Sequence, residues 1–116
     1  MNNIIDVELK KLRFSGADGW KDVYAKEKGD SILVHPIYLA LRGDRGPLEQ
    51  WCNFRKDIWL MERLDLVMDV YKSLIRYGQI EPIVIRKDLT IVTGEKRVCC
   101  MLIMGKDTIK AVYENS

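Results

Sequence analysis

Apolar positions recur at helical spacing along one stretch of the chain, where Leu64, Val67, Met68, Tyr71, Leu74 and Ile75 fall three, four or seven residues apart on one face. Gly78 stands where a left-handed C-terminal cap is expected, so a helix is predicted from about Glu62 to Tyr77. Its apolar stripe is expected to lie against a sheet. The period then changes. Pro82 stops any helical continuation, Ile83 to Arg86 and Thr90 to Thr93 are apolar and β-branched, and Lys87-Asp88-Leu89 is short enough to join them as a hairpin. A second helix is predicted from Glu95 to Met104, ended by Gly105, and Thr108 to Tyr113 reads as a closing strand. The second half therefore runs helix, strand, strand, helix, strand.

The first half carries a weaker pattern. Ile4 to Leu12 alternates enough for an edge strand, and Gly16, Gly19, Gly29, Gly43 and Gly46 then cut the chain into short pieces. Pro36 and Pro47 each sit where a helix begins, which predicts short helices near Pro36 to Leu41 and Pro47 to Asn53. The rest of this region is expected to be irregular and folded by its aromatic residues.

Composition narrows the function classes. A chain of 116 residues with 47% hydrophobic content suits one compact domain over residues 1–116, and no internal repeat or low-complexity run divides it. A net charge of +2 argues against a protein held to nucleic acid by bulk charge alone. No stretch approaches the roughly 20 apolar residues of a membrane span, and Met1-Asn2-Asn3-Ile4 lacks the pattern of a signal peptide, so a cytoplasmic protein is expected. Three cysteines, Cys52, Cys99 and Cys100, fit reduced thiols, with at least one of the adjacent pair buried; one histidine and no Cys-x-x-Cys pair leave no candidate zinc site.

Candidate chemistry concentrates where the second strand becomes a helix, at Thr93-Gly94-Glu95-Lys96-Arg97. A helix start leaves backbone N–H groups without intrahelical partners and carries the positive end of the macrodipole, so a phosphate can bind there if a small residue lets it approach. Gly94 supplies the approach, and Lys96 and Arg97 the charge. The same residues also suit a plain strand-to-helix turn with two solvated cations, in which Arg97 holds an exposed helix position and contributes little to stability. Glu95 falls in the first helical turn, where the dipole favours a carboxylate whatever its role. Gln79 and Glu81 precede a strand, where they suit either base or ribose recognition or turn capping. His35 is read as a helix-start residue packed among Ile32, Val34 and Tyr38. Arg42, Asp44 and Arg45 read as a solvated loop, and Trp51, Phe54 and Trp59 as core or subunit contact.

The order of these elements, with these residues at their joints, resembles the ParB/sulfiredoxin superfamily and in particular the N-terminal domain of ParB-type partition proteins. The match runs from about Leu64 to Tyr113, a motif-bearing core within residues 62–113, and leaves residues 14–61 as a family-variable region. It rests on Gly78, Gln79, Glu81 and Pro82, a glycine followed by a Gln/Glu-Pro-hydrophobic strand, and on Gly94, Glu95, Lys96 and Arg97, which stand where the family has Gly-Glu-Arg-Arg. The resemblance implies an α+β fold with a small mixed sheet and flanking helices. It also implies that the box contacts the phosphates of a nucleotide, with Thr93, Gly94, Lys96, Arg97, Gln79 and Glu81 as binding residues and Glu95 as the catalytic candidate. The cofactor implied is a nucleoside triphosphate with Mg²⁺. The partners implied are the nucleotide, DNA or a DNA-bound protein, and further copies in an oligomer.

Departures from the family pattern separate three readings. Ser116 follows directly on the last predicted strand, without the helix-turn-helix of a partition protein. The reactive cysteine of sulfiredoxin falls on Glu95, so that reductase chemistry does not carry over. In the small-molecule kinase branch an aspartate and a histidine occupy the places of Thr93 and Glu95. The readings are a nucleotide-binding domain that hydrolyses NTP or transfers its phosphate, a non-catalytic interaction module from a phage, plasmid or defence system, and a ParB-like nuclease.

Overall fold

The computed structural model describes residues 3–14, 30–55 and 64–114. Its strands form one six-stranded mixed sheet in the order β1-β6-β4-β5-β2-β3, comprising β1 (Ile5–Glu8), β2 (Arg13–Phe14), β3 (Asp30–Ser31), β4 (Ile83–Ile85), β5 (Thr90–Thr93) and β6 (Thr108–Tyr113). β4 lies inside the sheet, antiparallel to β5 and parallel to β6, while β1 closes the far side of β6 antiparallel, with Ile5 opposite Ala111. The expected edge strand is therefore present, but shorter: after Glu8 the chain turns into a 3-10 helix over Leu9–Lys11, which buries Leu9.

Four helices are described: α1 (Pro36–Leu41), α2 (Gly46–Arg55), α3 (Leu64–Tyr77) and α4 (Glu95–Ile103). α1 starts with Pro36, whose missing N–H and fixed φ suit the first helical position. Gly78 ends α3 at φ 71°, its N–H donating to the Leu74 carbonyl at 2.9 Å, as the glycine cap predicts. The hairpin between β4 and β5 forms with Leu89 at φ 72°. Its Asp88 carboxylate accepts from the Thr90 N–H at 3.0 Å, and the Thr90 side chain and amide hold that carboxyl below its usual range.

Helix α4 is the centre of the helical layer. It packs against α1, α3 and the 3-10 helix at Leu9–Lys11, and Val98, Cys99 and Cys100 on it are fully buried. The predicted stripe of α3, expected on the sheet, packs chiefly against α4. Val67 and Leu74 are buried there and the Cys100 thiol reaches the Val67 carbonyl at 3.6 Å, whereas Met68 and Ile75 of the same stripe are exposed. One apolar core joins both halves of the chain, with Phe14, Ile32, Ile37 and Leu48 beside Ile83, Ile85, Ile91 and Ile109. Among the described residues of the first half, aliphatic side chains as well as the aromatic Phe14 and Tyr38 make this core. The expected helix start at Glu62, and Trp59, lie outside the described residues; Trp51 and Phe54 fall on α2.

Candidate functional site

Strand β5 ends at Thr93 and α4 starts at Glu95, with Gly94 between them at φ 114° and ψ 18°. A helix N-cap normally has extended backbone and a side chain that accepts from the first turn. Gly94 has neither: it is left-handed, and no side chain caps the helix. A left-handed residue followed by a right-handed one turns successive N–H groups toward a common point, a concavity that suits an anion. The glycine is also required from within. A Cβ at position 94 would collide with Cγ2 of Ile83 and lie 3.0 Å from its Cβ, so β4 itself excludes a side chain here. The close approach that Gly94 permits is thus made by its own chain on one side.

The other candidate residues come together around this junction, and several are already engaged. Arg97, half-buried as a residue, donates from Nη1 to the Glu81 carbonyl at 2.7 Å and so anchors α4 to the segment before β4. This corrects the expectation of a free, exposed helix position. Gln79 behaves like an extra peptide group on the sheet: its side-chain oxygen accepts from the Lys110 N–H at 2.9 Å, and its amide nitrogen donates to the carbonyls of Lys110 at 2.9 Å and Glu81 at 3.0 Å. The structural alternative for Gln79 is therefore occupied in full view, as sheet pairing more than turn capping. Glu81, Thr93 and Lys96 are exposed.

Glu95 has a partner that local sequence does not announce. Its Oε2 lies 3.1 Å from Nε2 of His35, sixty positions earlier in the chain. His35 is fully buried, its ring edge-on to Phe14 at 4.6 Å between centroids, and its Nδ1 accepts from the Ile37 N–H at 3.1 Å as the N-cap of α1. A nitrogen that accepts carries no proton, so the geometry at Nδ1 leaves Nε2 as the nitrogen that donates to Glu95. Val34, expected beside the ring, is instead exposed at the surface. The signal within reach of sequence was His-Pro at a helix start; the carboxylate across the core had none.

The two adjacent cysteines point inward one turn further along α4. Burial pushes the Cys100 thiol up to about 11, and burial, followed by the Glu95 carboxylate, holds Cys99 well above its ordinary range. Burial thus favours the protonated thiol at both positions and disfavours nucleophilic chemistry there. Among the described residues no group of three or more His, Cys, Asp or Glu is placed to hold a metal ion, and no helix is long and apolar enough to cross a membrane.

No family model and no curated protein matches the sequence. Among solved structures, a Pnob8-like ParB-N domain aligns over 97% of this chain with a TM-score of 0.51 at 15% identity. A second structure, of the pNOB8-like ParB N-domain, aligns over 100% of this chain with a TM-score of 0.45 at 16% identity. The chain spans 30% and 29% of the length of those two chains. The first likeness shows the fold, which is that of a ParB N-domain.

Proposed function

We propose that this ParB N-domain-like chain binds the phosphates of a nucleoside triphosphate at the β5–α4 junction. The observation that carries the reading is the left-handed Gly94 at the head of an uncapped helix, with Lys96 and Arg97 in its first turn. Thr93 stands at the end of β5, exposed, beside the same backbone groups. Mg²⁺ fits this arrangement in the mode it usually takes, one or two protein carboxylates with the remaining oxygens from phosphate and water, and Glu95 is the carboxylate at the junction. When bound, the ion would neutralise phosphate charge. Glu95 would hold it or a proton, which is the role assigned to Glu95 if the chain hydrolyses NTP or transfers its phosphate. The reading takes the protein as one cytoplasmic domain, with Gln79 and Glu81 flanking the phosphate site.

A second reading is favoured by a specific observation: the Gln79, Glu95 and Arg97 side chains all have partners within the chain. On it the domain is a non-catalytic module that contacts DNA or another protein, and the family residues survive as structural joints. Thermal-shift measurements with ATP, CTP and GTP, each with Mg²⁺, separate the two. A ligand present at 100 times its dissociation constant adds about 2.7 kcal/mol of stability, which in a chain of this length raises Tm by about 10 °C or more. Such a rise for one nucleotide supports the first reading. Melting curves that coincide with and without every nucleotide retire it.

A further inference from the structure

The contact between His35 and Glu95 joins the starts of two helices from opposite halves of the chain. Glu95 occupies the first position of α4, where a carboxylate is drawn toward the positive end of its own helix and toward N–H groups that no side chain caps. An anion bound there would have to compete with it. In the structure Oε2 of Glu95 is instead 3.1 Å from Nε2 of a fully buried His35, whose other nitrogen is spent on the Ile37 N–H. The ring cannot rotate to another role without uncapping α1 or leaving Phe14. The side chain of Glu95 is about one quarter exposed, so it retains a face toward solvent.

We infer that His35 is a positioning residue for the phosphate site: it holds the Glu95 carboxylate on the α1 side of the junction and so keeps it from capping α4. The inference rests on the phosphate-binding reading of that junction. The hydrogen bond from Nε2–H also draws carboxylate charge away from the amides that phosphate would occupy. His35 touches neither phosphate nor metal; it acts through Glu95.

The chain has a single histidine, so its imidazole gives one isolated pair of ¹⁵N signals. In the intact protein at neutral pH these should report a proton on Nε2 and an accepting Nδ1, and Glu95→Gln should shift the Nε2 signal. An Nδ1–H tautomer, an imidazolium, or a signal indifferent to Glu95→Gln overturns the inference. The second measurement titrates inorganic phosphate while following the backbone amides of Gly94, Glu95 and Lys96. His35→Asn keeps an N-cap for α1, because asparagine is a favoured capping residue, but is too short to reach Glu95. Phosphate affinity should fall about fivefold or more in that variant, and adding Glu95→Gln to it should restore the loss, the coupling expected of residues in contact. Equal affinity in His35→Asn and the parent overturns the inference and leaves the phosphate reading standing. Junction amides of the parent that ignore phosphate overturn both. If His35→Asn does not fold, the imidazole signals and their response to Glu95→Gln decide alone.

Discussion

A methyl group added at position 94 meets Ile83 at a backbone φ of 114°, so Gly94→Ala carries two separable costs. The left-handed backbone costs an L-residue about 1 to 2 kcal/mol, and forcing a side chain into close contact with β4 adds about 1 to 3. Urea unfolding of the variant should show a loss of about 2 to 5 kcal/mol. Arg97→Ala separates structure from ligand. Its hydrogen bond to the Glu81 carbonyl is partly solvated, so removal should cost about 1 kcal/mol of stability, while nucleotide affinity should fall about tenfold or more. A variant that loses stability and has no affinity to lose favours the interaction module. Gly94 and Arg97 could be singled out from sequence because their demands are local, a tight turn and a charge in the first turn of a helix. His35 could not be matched to Glu95 in that way, since nothing in either neighbourhood encodes a contact across the core.

Elements in the second half follow their sequence signals closely, since each boundary is set by a nearby glycine, proline or change of period: Gly78 ends α3, Pro82 precedes β4 and Gly105 follows α4. What periodicity does not say is what a helix face lies against. The α3 stripe, expected on the sheet, has α4 as its main neighbour, and Met68 and Ile75 of that stripe are exposed. Leu74 is buried at that contact and borders an open cleft of about 350 Å³ that it shares with Met101 and Met104. Leu74→Ala should cost about 2 to 3 kcal/mol, near the low end for leucine truncation because water can enter the space. The thiols beneath α3 set a pH dependence. The folded chain keeps Cys100 protonated up to about 11, whereas the unfolded thiol ionises near its ordinary value. Between about pH 9 and 11 the unfolded state therefore binds fewer protons, and stability should fall as pH rises through that window. Replacing Cys99 and Cys100 by alanine should flatten this part of the stability curve.

At the scale of the molecule, the region before α3 supplies more than loops. Strand β2 pairs parallel to β5 and antiparallel to β3, and Phe14, Ile32 and Leu48 are fully buried in the common core. The sequence concealed this because two-residue strands have no period to detect and their partners are distant. At the other side of the sheet, Ile5 to Glu8 pair with Thr108 to Ala111, and Leu9 N–H donates to the Asp107 carbonyl at 2.9 Å. Removing residues 1–9 takes away buried Val7 and Leu9 and uncovers the edge of β6, so the shortened chain should lose its cooperative thermal transition in circular dichroism. The same pairing bears on synthesis. During translation β1 emerges before β6, and the two cannot pair until residue 111 has cleared the ribosome, so the nascent chain carries an unpaired strand and an incomplete core until then. Folding of this domain on the ribosome should therefore finish in a single late step once β6 has left the exit tunnel, an event that arrest peptides placed at successive distances behind Tyr113 would time.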